Sequence, residues 1–133
     1  MSVIRHFFLH KLYVVAYKKV NGKQKVIGKS IVAHVVGNKN TVNTNVKSIT
    51  LKKSSVMLSK GKTYTIKGSV TLVSPKKEML NETHAAKLRF RISNKKVATV
   101  DKTGKITAKG SGTCYVYVYA VNGCAEKVTV TVK

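Results

Sequence analysis

Acidic residues are nearly missing from this sequence: four Asp and Glu stand against 26 Lys and Arg in 133 residues, a formal charge of +22. So few carboxylates leave little material for paired acid/base catalysis or for an oxygen-rich calcium cage. Trp is absent, Pro occurs once and Gly nine times, which excludes collagen-like, Pro-rich and low-complexity chains. No apolar run approaches the ~20 residues that a membrane-spanning helix needs. The stretch Phe7 to Tyr17 is split by His10 and Lys11 and lacks a small-residue cleavage site, so it reads as structure rather than as a signal peptide. The chain is then either cytoplasmic or a piece of a longer exported protein whose signal lies upstream. What is present is 43% hydrophobic, enough apolar surface to offset the entropy of ordering. One ordinary domain, or a small domain with an appendage, is expected.

Apolar and polar residues alternate with a period of two, and turn signals recur every eight to twelve residues, the pattern of an all-β protein. Near the N-terminus, Leu12 to Tyr17 and Lys29 to Val36 read as two strands of a hairpin, with Asn21-Gly22 to Gly28 turn-like between them. The polar, Asn-rich run from Gly37 to Asn45 reads as a linker. Eight short strands follow: Val46 to Leu51, Val56 to Leu58, Thr63 to Val73, Leu88 to Ile92, Val97 to Val100, Lys105 to Ala108, Thr113 to Ala120 and Ala125 to Val132. That number in so short a span suits a Greek-key sandwich. Pro75 to Ala86 is the one stretch with helical character and is read as an inter-strand insertion.

Alternation also assigns faces. Tyr64, Ile66, Gly68, Val70 and Leu72 share the core side of their strand, and Leu88, Phe90 and Ile92 face in while Arg89 and Arg91 face out. In the last two strands the inward sets, Cys114 to Ala120 and Val128 to Val132, are both even-numbered. The loop between them must therefore hold an odd number of residues. Val121-Asn122-Gly123 fits, with Gly123 left-handed. This register pairs Cys114 with Val130 and Ala120 with Cys124, placing the two thiols on the order of 20 Å apart, too far for a disulfide. Cys114 reads as a small core residue and Cys124 as a thiol beside the loop.

The run Ser93-Asn94-Lys95-Lys96-Val97-Ala98-Thr99-Val100-Asp101-Lys102-Thr103-Gly104-Lys105-Ile106-Thr107-Ala108, continued by Gly112-Thr113, resembles the hallmark of the bacterial immunoglobulin-like domain, group 2. Val46 to Leu51 and Leu58 to Tyr64 are similar to that family's first strands. Phe90 stands where the family commonly has Trp, still a large aromatic for the core. Physically, Asp101 reads as a turn residue that accepts backbone N–H bonds where Gly104 closes the turn. The N-terminal Val14 to Lys23, followed by Gly28-Lys29-Ser30, resembles the last hairpin of a fibronectin type III domain. The resemblances imply an immunoglobulin-like Greek-key sandwich with an N-terminal β-hairpin: 1-36 fibronectin type III-like, 37-45 a linker and 46-133 the bacterial Ig-like domain. They further imply a fragment of a tandem-domain protein, extracellular or on the cell surface, of the kind that includes adhesins such as invasin and intimin. Calcium has been linked to some related domains, but the acidic clusters it needs are missing here.

No catalytic, cofactor or metal residues emerge. Glu78, Glu82, Asp101 and Glu126 offer no acid/base pair, and His6, His10, His34 and His84 match no triad spacing. His6 and His10, four apart, would share a face only on a helix, and the local pattern is strand-like. Lys outnumbers Arg 23 to 3 and is scattered, so the chain attracts polyanions without a bidentate fork to read bases. Specific nucleic-acid recognition is therefore not expected, whereas an anionic cell-wall polymer or glycan is a candidate partner beside neighbouring domains. Tyr115, Tyr117 and Tyr119 alternate with core residues and form an outward stripe. Immunoglobulin-like strand order brings Arg89 and Arg91 beside it. These five residues are the candidate interaction surface, either a cross-strand ladder or a contact platform. The expected function is a noncatalytic spacer and adhesion module, with electrostatic binding of anionic wall polymers as the alternative.

Overall fold

A computed structural model describes residues 9–133 of the chain. Four strands occupy the N-terminal part: β1 (Leu9–Leu12), β2 (Val15–Val20), β3 (Lys23–Lys29) and β4 (Ala33–Val36). Nine more follow: β5 (Val46–Leu51), β6 (Ser55–Leu58), β7 (Thr63–Thr65), β8 (Gly68–Leu72), β9 (Leu88–Ile92), β10 (Ala98–Val100), β11 (Lys105–Ala108), β12 (Gly112–Ala120) and β13 (Ala125–Val132). One layer is the four-stranded sheet β6-β13-β12-β9, in which β6 runs parallel to β13 and the other pairs are antiparallel. Opposite it lie the pair β5-β8 and the three-stranded β10-β11-β7. Val46, Ile49, Ala98 and Ile106 from the second layer meet Cys114, Val116, Val128 and Val130 from the first in a single core. The all-β sandwich expected from the period-two pattern, immunoglobulin-like as the resemblance implies, is the fold observed.

The β12-β13 register follows residue parity. Cys114 lies opposite Val130, Ala120 N–H donates to Cys124 O at 2.8 Å, and Gly123 has φ 87°. Both cysteines are free, Cys114 buried and Cys124 half-buried. Asp101 caps its turn as expected: its Oδ1 accepts the Thr103 N–H at 2.8 Å, the Thr103 hydroxyl at 2.6 Å and the Lys105 N–H at 3.0 Å. The continuous strand expected over Thr63 to Val73 is instead two. At Ile66-Lys67 the chain leaves one ladder for another, with Ile66 N–H bonded to Gly104 O and Lys67 O to Lys52 N–H. The alternation of faces survives the break: Tyr64, Ile66, Val70 and Leu72 are buried or half-buried, and Thr65, Lys67, Ser69 and Thr71 are exposed.

At the N-terminus the turn is shorter than expected. Asn21 and Gly22, with φ 50° and 76°, make a two-residue turn whose twist matches that of the strands it joins. Lys23 to Gly28, expected to be turn-like, is strand: Lys23-Gln24-Lys25 carries no apolar alternation and so hides the strand from a periodicity test. The ribbon β2-β3 has a bulge beside Ala16/Tyr17, then gives way to the ladder β1-β4. Ser30 joins the two, donating its N–H to Val14 O and accepting the Val14 N–H at Oγ, both at 2.8 Å. His6 lies outside the described residues.

Residues 37–45, read as a linker, are fastened. Asn45 brackets Val36, accepting its N–H and donating to its carbonyl, both at 2.8 Å. Thr44 N–H donates to Glu78 O and Glu78 N–H to Val42 O, so the run lies along the insertion 75–86. That insertion contains turns and no helix, and its Leu80 is buried. Leu80, Val36 and Val121 form a second, smaller core, with Leu9, Met79 and Ala85 packed around it.

Candidate interaction surface

The stripe Tyr115-Tyr117-Tyr119 lies on the outer face of β12 because Cys114, Val116, Val118 and Ala120 between them are fully buried. Register sets its neighbours: Tyr117 lies between Arg91 and Lys127, Tyr119 between Arg89 and Ala125, and Tyr115 opposite Thr129. The Tyr117 and Tyr119 rings are 6.4 Å apart and tilted by 35°. Lys127 Nζ stands 4.5 Å from the Tyr115 ring centroid, a cation–π contact. Tyr115 is the most open of the three, 38% exposed, and Tyr117 and Tyr119 are half-buried. The five residues singled out from the sequence thus share one surface.

The arginine end of that surface is occupied by the chain itself. Arg89 Nη1 donates to Val32 O at 2.6 Å, and its Nη2 donates to Ala120 O and Val121 O at 3.0 and 3.1 Å. Arg91 Nη1 donates to Lys29 O at 3.1 Å. A planar fork with several donors suits such a bracket, since it reaches carbonyls on two segments at once. Burial draws the Arg89 pKa down, but a guanidinium stays charged throughout the physiological range. Beside it the His34 N–H donates to Val121 O at 2.9 Å, and Asn122 Nδ2 donates to Val46 O at 3.0 Å. Together with the Val36-Leu80-Val121 core, these contacts form a seam between the β1-β4 ladder and the sandwich. Tyr115 and Tyr117 make up the open remainder of the surface.

Sequence reasoning missed Asn45, Leu80 and Val121 as seam residues. Outward alternation identified Arg89 correctly as outside the core, yet outside the core is not the same as in solvent. At one end of the sandwich Lys67, Lys87 and Lys102, together with Glu82 and Phe90, line an open groove of about 380 Å³. Among the described residues no three His, Cys, Asp or Glu side chains come together as a metal site. Burial pushes the Cys114 thiol pKa up, so it is a core residue rather than a nucleophile.

The residues that build the sandwich are also those of a known family. Residues 45–132 match the bacterial Ig-like domain (group 2). The chain belongs to that family. This bacterial Ig-like domain is also similar to two solved structures of intimin. One is an intimin mutant from EHEC O157:H7, with 17% identity and TM-score 0.43 over 56% of this chain and 34% of that one. The other is a C-terminal 282-residue fragment of intimin in complex with the intimin-binding domain of the translocated intimin receptor, with 14% identity and TM-score 0.43 over 92% of this chain and 40% of that one. The chain therefore spans well under half the length of either. No curated protein matches the chain. Among the described residues no helix is long and apolar enough to cross a membrane.

Proposed function

We propose that the chain is a noncatalytic module of a bacterial cell-surface or secreted protein, a spacer that fixes the orientation of its neighbour and offers an outer face for adhesion. In this reading residues 1-36 belong to a fibronectin type III-like neighbour, 37-45 connect, and 46-133 are the Ig-like domain. The observation that carries it is the seam. A spacer transmits orientation only if its joint is stiff, and here Arg89, Asn45 and the Val36-Leu80-Val121 core bind the preceding segment to the sandwich. Residual dipolar couplings on the full chain test it. Amides of β4 and β12 are expected to fit one alignment tensor, and two independent tensors would remove the spacer reading. The open part of the surface, Tyr115 and Tyr117 with Lys127, is the adhesion face in this reading. A Tyr117→Ser variant that folds normally and binds a partner as well as the parent chain does would remove it from that role.

A second reading is supported by charge. The first 77 residues contain no Asp or Glu at all, and three lysines from separate loops outnumber the one carboxylate, Glu82, in the groove that Phe90 also lines. Such a field suits electrostatic binding of anionic wall polymers or glycans. Retention on isolated Gram-positive cell walls, with and without their anionic polymers, at about 50 and 500 mM salt separates the readings. Retention that needs the polymers and disappears at high salt supports the charge reading, and no retention in any condition leaves the spacer.

A further inference from the structure

Among the described residues the buried polar side chains are His34 and Thr44, and only the histidine titrates near neutral pH. His34, 7% exposed, lies in the middle of β4 within the seam. Its backbone N–H is spent on Val121 O, while its Nδ1 is buried without a hydrogen-bond partner. The His84 ring, from the insertion, meets it edge-on at 6.2 Å and 69°. Lys11 on β1 is its direct cross-strand partner. Arg89 on β9 approaches from the sandwich, and the β12-β13 turn contributes the uncharged Val121 and Asn122. His10 pairs with Val35, so it projects from the other side of the ladder. No carboxylate is among the groups acting on His34. Burial first, then Lys11, Arg89 and His84, lower its pKa.

A proton on Nδ1 would be buried beside the Lys11 and Arg89 cations with no carboxylate to offset its charge. We propose that His34 is a pH-operated latch: neutral, it lets the β1-β4 ladder stay seated on the sandwich, and protonated, it drives the ladder off. The latch rests on the reading of the seam as a stiff joint. Its direction follows from linkage. Released, His34 titrates near its ordinary value of about 6.5, whereas seated it resists protonation. The released state therefore binds more protons below that pH. Seating is at full strength above about pH 6.5 and weakens as the pH falls, by up to about tenfold per unit. Arg89 keeps its charge throughout, so its own bonds contribute no such slope.

The test is amide hydrogen exchange on the full chain between pH 7.5 and 5.0, corrected for the intrinsic pH dependence of exchange, with the imidazole carbons of His34 followed by NMR. The β4 amides are expected to lose protection several-fold or more across this range while the Cys114 and Val128 amides keep theirs, with His34 titrating below 6.5. A His34→Gln variant is expected to lose that slope whatever its starting level of protection, and a His84→Gln variant to keep most of it. A slope that persists in His34→Gln, or a His34 that titrates at 6.5 or above, overturns the latch. Seam protection that is present but independent of pH overturns the latch alone. A seam unprotected even at pH 7.5 overturns the stiff joint as well.

Discussion

Two hairpins in this chain obey the same local rules and meet opposite fates. The β12-β13 hairpin alternates Cys114, Val116, Val118 and Ala120 with tyrosines and buries the first set completely beneath the opposite layer. The β2-β3 hairpin alternates Val15 and Tyr17 with Ala16 and Lys18, places Val26 opposite Tyr17, and buries neither face. Val26 and Ile27 remain 62% and 61% exposed. Alternation decides which side chains share a face, but burial needs a second layer to cover that face. A two-stranded ribbon by itself is marginal. The seam extends the sandwich's hold only as far as β4, the Ser30 junction and, through Arg91, the Lys29 carbonyl at the end of β3.

The largest contrast is expected from matched isoleucines. Ile106→Ala removes a fully buried side chain and is expected to lower global stability by about 2–5 kcal/mol, read from urea unfolding. Ile27→Ala, on the exposed ribbon, is expected to stay within about 0.5 kcal/mol, and an effect comparable to Ile106→Ala would show that the ribbon's apolar side chains are covered in solution. Matched glycines come next. Gly104 has φ 82°, and a Cβ there would stand 2.7 Å from the Phe90 ring. Gly104→Ala is therefore expected to cost about 1–3 kcal/mol. Gly22 has φ 76° but open space around it. Gly22→Ala is expected to disturb the ribbon's own amide shifts and leave the unfolding midpoint of the sandwich in place.

Arg89→Met breaks the seam between the two regions. Losing the charged donors is expected to cost the seating of β1-β4 about 1.5–3 kcal/mol, visible as faster β4 exchange with the β12 and β13 amides unchanged. Equal loss in both regions would mean that they unfold as one unit. The smallest effect concerns the turns. Hydrogen bonds from the Thr103 hydroxyl and from the backbone hold the Asp101 carboxyl below its usual pKa. Its contribution is then present above about pH 4, the unfolded value, and lost as the pH falls through the lower folded value. An Asp101→Asn variant is expected to be slightly less stable than the parent chain at pH 7 and equal to it in strong acid. The Asn21-Gly22 turn, which has no carboxylate, is expected to show no such convergence.

These contrasts also mark how far the sequence could be read. Residue parity fixed the β12-β13 register and the separation of Cys114 from Cys124, because both follow from a period of two and a three-residue turn. Asp101 was legible because its partners lie within four residues of it. The tyrosine and arginine stripe was legible as a face, through alternation and strand order. The seam was not. Asn45 looks like one more polar residue in an Asn-rich run, and its bracket on Val36 depends on docking between distant segments. Leu80 stands in an insertion without periodicity, so nothing local marks it as core. Lys23 to Lys25 form a strand held by the Asn21-Gly22 turn rather than by an apolar pattern of their own.

Protection is expected to fall in three steps, from the sandwich core to the seated β1-β4 ladder to the β2-β3 ribbon. Amide exchange resolved by residue at pH 7.5 reads these three steps. The slowest exchange is expected at Cys114, Val116 and Val128, intermediate exchange at His34 and Val36, and nearly unprotected exchange from Lys18 to Lys25. Ribbon amides as slow as those of the core would contradict this order and would mean that a second layer covers β2 and β3 in solution.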